Sequence, residues 1–127
     1  RELGIVDKVL FLGQVPDARR YFRAFDVFAL SSDHEPFGMV LLEAMACGTP
    51  VIATNIWGTP EVVSTPNAGL LMEKRDAPSL SAAWNALRFA APSRELTRAH
   101  AATFSWDDTT VGQLNLFQNR TLAHEHA

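Results

Sequence analysis

Two carboxylates and the residues between them carry most of the chemistry in this sequence. Glu35 and Glu43 stand eight positions apart and enclose Pro36-Phe37-Gly38-Met39-Val40-Leu41-Leu42. Pro36 fixes its own φ and drives Glu35 towards an extended backbone. Gly38 lets the backbone come close to a ligand. A helix expected from about residue 38 to 47 would begin there. Its first amides have no internal partner, and the helix dipole stands behind them, so they suit a phosphate or sugar hydroxyls. Glu43 lies in a run, residues 39–45, that is otherwise wholly apolar. A carboxylate buried there is costly unless something hydrogen-bonds to it. As an acceptor-only group it suits two adjacent hydroxyls, such as a ribose diol, at roughly 1.5–3 kcal/mol for each charged hydrogen bond. Both carboxylates are expected to face one crevice, Glu35 at its mouth and Glu43 about a turn inside. Plainer readings stand beside these. Glu35 can be a solvated loop residue and Gly38 a turn glycine. Glu43 can pair with a core cation, turn to solvent, or simply sit favourably near a helix N-terminus.

Short β-rich runs alternate with amphipathic stretches around this segment. VLFLG (9–13), VFALS (27–31), PVIAT (50–54) and GLLM (69–72) read as strands. Between them lie a helical stretch opened by Pro16-Asp17, with Tyr21, Phe22 and Phe25 on one face, the helix at 38–47 ended by Gly48 and Pro50, and a short helix near Pro60. Asp76 or Ser79 can cap a further helix whose Trp84 and Leu87 face is expected to be core. Another follows Pro92-Ser93, and a last one, from about 106 to 123, carries Val111, Leu114 and Phe117 on one face. The closing HEHA is expected to fray. Strands in strict alternation with helices, each a near-continuous apolar run, predict an α/β fold with a parallel sheet covered on both faces. Such sheets bind ligands at the carboxyl ends of their strands, which singles out the loop after VFALS.

The chain has 127 residues, 47% apolar and 20% charged, which predicts one globular domain able to bury roughly two-thirds of its unfolded surface. A net charge of −3 argues against nucleic acid as the partner. Cys47 is the only cysteine, so no internal disulfide forms and no cysteine zinc site can be built; it reads as buried and inert. No run of roughly 18 apolar residues is present to span a membrane. The opening RELGIVDK is charged, has no initiator Met, and reads as the tail of a helix already under way.

The pattern Glu35-x7-Glu43 followed by AMACGTPVIAT resembles the signature of group 1 (family four) retaining glycosyltransferases. FLG, FDVFALSS, EPFG and GTPEVV extend the resemblance over about residues 9–72. It implies a Rossmann-like parallel sheet flanked by helices, part of the C-terminal, nucleotide-sugar-binding domain of the GT-B architecture, with the whole of 1–127 as one donor-binding domain truncated on its N-terminal side. Glu35 then matches the glutamate that contacts the transferred sugar at the reacting centre, and Glu43 the one that holds the donor ribose. Phe37, Gly38, Met39 and Val40 match the segment whose amides meet the sugar hydroxyls and diphosphate. Thr49 matches a small polar residue near the diphosphate or ribose, Val15 a loop flanking the base, and Glu61 a glutamate common in the family. No metal or other cofactor is implied. His34 is then a packed or solvated loop histidine, since retention requires no side-chain base there.

The departures are specific. No residue matches the upstream Arg and Lys that neutralise the leaving diphosphate, and the acceptor-binding domain is absent. Trp57 stands where a second glycine is more usual. The resemblance implies transfer of a hexosyl group from a nucleotide diphosphate sugar to a glycan or lipid-linked acceptor held by the missing domain. The full-length protein is expected in the cytoplasm, and peripheral contact with the inner face of the cell membrane is compatible with that. A nucleotide-sugar epimerase on the same scaffold is one alternative. An inactive relic or interaction module is another.

Overall fold

The computed structural model of the chain describes residues 3–124. Its centre is a parallel sheet of three strands in the order β1-β2-β3: β1 (Phe28–Leu30), β2 (Val51–Thr54) and β3 (Gly69–Met72). Phe28 pairs with Val51, and Val51 with Gly69. All four residues of β2 are buried, and its side chains alternate between two apolar layers. Val51 and Ala53 join Phe22, Leu41, Met45 and Val62 on one face. Ile52 joins Met72, Ala83 and Leu87 on the other. Helices therefore cover both faces, as the continuous apolar runs require.

The first layer is built by α1 (Arg19–Ala24), α2 (Met39–Ala46), α3 (Thr59–Val62) and α5 (Arg94–Ala101), the second by α4 (Ala77–Ala90). Asp17 Oδ1 accepts the Arg19 amide just ahead of α1. The Arg19 side chain, hydrogen-bonded to the same carboxylate, draws the Asp17 carboxyl down to about 2. Asp76 caps α4 by accepting the Ser79 amide at 2.8 Å, and Ser93 caps α5 through the Leu96 amide. Helix α2 ends where Gly48 turns left-handed at φ 82°. There the Gly48 amide donates to Met45 O and the Thr49 amide to Ala44 O, satisfying carbonyls that would otherwise be orphaned. Gly69 has a different reason. A Cβ at this position would meet Val51 O at 1.9 Å, so only glycine lets β3 close on β2.

Several expectations are corrected. Residues 9–13 form no strand, and Leu10 and Phe11 lie 81% and 91% exposed. No strand lies against the free edge of β1 among the described residues, so VLFLG has nothing to pair with. Residues 3–8 form no α-helix: Gly4 turns at φ 60°, and a single 3-10 turn spans Val6–Lys8. On α4, Leu87 is core but Trp84 is exposed. On α6 (Trp106–His124), Val111, Leu114 and Phe117 are all exposed. The expected fraying of HEHA concerns residues beyond 124, outside the described ones.

Two outcomes check this account. Gly69→Ala forces a methyl into the backbone of β2 and costs about 1–3 kcal/mol or more; an unchanged urea midpoint would contradict the close strand contact. The Asp76 carboxyl is held below its ordinary value of 3.8, first by the Ser79 amide and then by the Ser79 hydroxyl. A lowered carboxylate stabilises the fold above its unfolded pKa and loses that contribution as pH falls through the folded one. Acid titration followed by circular dichroism should therefore show part of the low-pH loss of stability vanishing in Asp76→Asn, which still caps but does not titrate.

Candidate functional site

The loop from Ser31 to Gly38 leaves the carboxyl end of β1 and delivers the chain to the start of α2. Gly38 takes the N-cap position with φ 95° and ψ 45°, a left-handed conformation that favours glycine. The first bonds of the helix run from the Leu41 and Leu42 amides to Gly38 O. The Met39 and Val40 amides thus stand ahead of the helical ladder, at the positive end of the dipole. Glu35 is half-buried beside this start, its Cγ 3.7 Å from where a Cβ on Gly38 would lie.

Helical periodicity settles the orientation of α2. Leu41, Ala44 and Met45 face the sheet and are buried. Met39 and Glu43 are one turn apart on the opposite, exposed face, while Val40 is half-buried against the core. The apolar run around Glu43 suggested a buried carboxylate; the outward turn places it in solvent, free of a desolvation cost. Among the described residues no cation pairs with it.

Glu43 lines a crevice of about 740 Å³ between α2 and the turn joining α5 to α6, together with Phe37, Met39, Leu42, Glu61 and Trp106. Phe37 closes its inner wall, edge-on to Phe104 at 6.3 Å between ring centroids. Glu35 is not among the lining residues; the second carboxylate there is Glu61. The two motif glutamates therefore flank the α2 N-terminus instead of sharing this crevice. Trp106 and Phe104 were not assigned to a site from the sequence. The aromatic pair in Phe104-Ser105-Trp106 was the available signal, but which wall it joins depends on how α5 packs against α2.

Thr49 is corrected. Its side chain is fully buried, its hydroxyl donates to Phe22 O, and Arg94 reaches it at 3.4 Å while also donating to Phe25 O at 2.6 Å. It lies where the chain leaves α2 to enter β2. The eight residues of α2, about 12 Å of helix, separate it from the α2 N-terminus. The hydroxyl ties α1 and α5 to the base of the sheet and does not reach the N-terminus of α2. Val15 is half-buried in the loop before α1 and is not among the crevice lining.

The loop after β2 is knitted to the loop after β1. Thr54 Oγ1 donates to Ser32 O at 2.6 Å. Gly58 leaves no room for a side chain, since a Cβ there would lie 2.2 Å from Pro36 O. Arg75, after β3, donates to Ser31 O at 3.0 Å and pairs with Asp33 at 3.4 Å. Between these ties Trp57 adopts φ 48°, left-handed for a bulky residue and costing about 1–2 kcal/mol. Its ring, 68% exposed, lies 5.4 Å from that of His34, which is itself exposed. Among the described residues no three His, Cys, Asp or Glu side chains cluster as metal ligands, and no helix is long and apolar enough to cross a membrane.

A parallel sheet flanked by helices, with a glycine-led helix N-terminus and two glutamates at the carboxyl edge, defines part of the Rossmann-like C-terminal domain of GT-B proteins. The chain belongs to the family described as glycosyl transferases group 1, whose model matches residues 1–95. It is 44% identical over 133 residues to a D-inositol 3-phosphate glycosyltransferase of Mycolicibacterium vanbaalenii, covering 99% of this chain and 29% of that protein. Sucrose-phosphate synthase from Thermosynechococcus elongatus superposes with a TM-score of 0.78 at 34% identity, over 96% of this chain and 32% of the other. The Anabaena protein HepE, solved in complex with UDP, superposes with a TM-score of 0.71 at 29% identity, over 97% of this chain and 34% of the other. The chain thus spans about a third or less of the length of these proteins.

The structural role of Thr49 is testable. Thr49→Val leaves the Phe22 carbonyl and an Arg94 donor without their partner and should cost about 1–3 kcal/mol in urea unfolding. Affinity for any nucleotide the chain binds should stay as it was; a selective loss of binding with normal stability would restore Thr49 to the ligand site.

Proposed function

We propose that this chain is the donor-binding part of a retaining hexosyltransferase that takes a nucleotide diphosphate sugar as substrate. The observation that carries the reading is the left-handed Gly38 cap. It sets the Met39 and Val40 amides ahead of the α2 ladder, with Glu35 immediately before them and Glu43 one turn beyond Met39. In this reading the backbone of Phe37, Gly38, Met39 and Val40 receives the diphosphate and sugar hydroxyls. Glu43, exposed and without a cation partner, accepts from the two ribose hydroxyls. Glu35 contacts the transferred sugar. As transfer proceeds, the bond between the anomeric carbon and the diphosphate oxygen breaks with its electron pair to the diphosphate, an acceptor hydroxyl oxygen bonds that carbon, and the hydroxyl proton passes to the departing diphosphate. Oriented amides at a helix start favour that growing charge, because their dipoles are already in place.

The HepE structure with UDP supports a nucleotide diphosphate at this fold. For the acceptor, our reading is a glycan or lipid-linked saccharide, and the name of the D-inositol 3-phosphate glycosyltransferases adds a phosphorylated cyclitol to the classes worth testing. Positioning an acceptor against the anomeric carbon supplies a large share of the rate in such reactions. The 127 residues alone should accordingly bind nucleotide weakly and transfer nothing.

Calorimetric titration of UDP, GDP and ADP into the chain tests this. One of the three should bind. Glu43→Gln should weaken it about tenfold, the lower end for a charged hydrogen bond because the carboxylate is exposed. Folded protein that takes up none of the three would exclude the donor site.

A further inference from the structure

We infer that Trp57, backed by His34, is the stacking face for the pyranose ring of the transferred sugar. The inference rests on the donor-binding reading above and assigns it a residue that the glutamate motif does not contain. Trp57 is the one non-glycine residue with positive φ among the described residues. It stands immediately before Gly58, and at φ 48° it adopts a backbone that favours glycine while carrying the bulkiest side chain. Folding gives no reason for that choice. The indole fills no core, being mostly exposed, and an L side chain at this φ is disfavoured. A strained, exposed aromatic held in place by its surroundings points to a ligand.

Its surroundings do hold it. On one side the Ile56 amide donates to Thr59 Oγ1 at 3.1 Å, and the Thr59 hydroxyl donates back to Ile56 O at 2.7 Å. On the other, Gly58 is pressed against Pro36 O and Phe37 Cα. The His34 ring lies 5.4 Å from the indole, centroid to centroid, inclined at 38°. The indole therefore stands beside the segment that contains Glu35 and leads into the α2 amides. It is absent from the lining of the crevice around Glu43. That placement favours the sugar over the base, because Glu43 is the ribose end of the proposed donor and Glu35 the sugar end. A pyranose presents a C–H face and a rim of hydroxyls. The flat indole matches the first, by burial of apolar surface without a new charge. Glu35 and the helix amides match the second.

The test compares the wild-type chain with Trp57→Gly and Trp57→Phe by calorimetry. Trp57→Gly removes the ring and relieves the backbone at the same time, so the fold is preserved; Trp57→Phe keeps an aromatic face. The probes are UDP, GDP and ADP, then the glucose, mannose and N-acetylglucosamine esters of whichever binds. We expect Trp57→Gly to bind the free nucleoside diphosphate as the wild type does. The best sugar ester should be held on the order of tenfold more weakly, and Trp57→Phe should restore most of that loss. Equal affinities of Trp57→Gly and wild type for every sugar ester would overturn the inference while leaving the donor site standing. A loss shared equally by the diphosphate and its esters would overturn it too, assigning the ring to the base or the scaffold. A wild-type chain that binds no nucleoside diphosphate removes the donor reading and this inference together.

Discussion

Helix α2 is suspended between two glycines in left-handed conformations, Gly38 at its start and Gly48 at its end, and the rest of the molecule is arranged around that span. The first glycine turns the chain sharply from the β1 loop into the helix, so the leading amides face outward. The second returns it at once to β2, so the helix must lie antiparallel to the strands it joins. With both ends fixed, the rotation of α2 is decided by Leu41, Ala44 and Met45, which bury against the sheet. Met39 and Glu43 have no choice but the outer face. The chemistry at the carboxyl edge is therefore a consequence of how an apolar stripe packs.

The two threonines that bracket β2 show how the ends of the sheet divide labour. Thr49, before the strand, spends its hydroxyl on Phe22 O and the Arg94 guanidinium and joins α1 to α5 in a fully buried setting. Thr54, at the strand's last position, donates to Ser32 O and clamps the loop that bears Glu35. Buried hydroxyls without partners are costly, so each is tied off, and the tie fixes a loop as a by-product. At the base the tie is structural. At the top it holds two loops together, and Gly58, pressed on Pro36, completes the join. Trp57 takes its strained backbone from this clamp.

Among the large apolar side chains that remain exposed are those of the stretch at 9–13 and of helix α6. Both were expected to present apolar faces, and the stretch at 9–13 finds no strand to pair with among the described residues. For residues 9–13 a strand would need a neighbour along the free edge of β1 or β3, and none is formed there. Among the described residues the outer edge of β1 is unpaired.

Local chemistry in the sequence determined which segments became elements. A β-branched run gave β2 and a short apolar run gave β3, Asp76 and Ser93 marked the starts of α4 and α5, and Gly48 marked the end of α2, because caps and strand propensity act over a few residues. The proline and glycine around Glu35 likewise announced a loop feeding a helix N-terminus. Direction and partnership were decided only by the tertiary structure. Glu43 lies in an apolar run, yet its exposure follows from a rotation that the sheet imposes. Thr49 and Thr54 look alike in sequence and differ because they sit at opposite ends of one strand. VLFLG has every mark of a strand, but a strand is a relation between two segments, and its hydrogen bonds exist only where a neighbour stands.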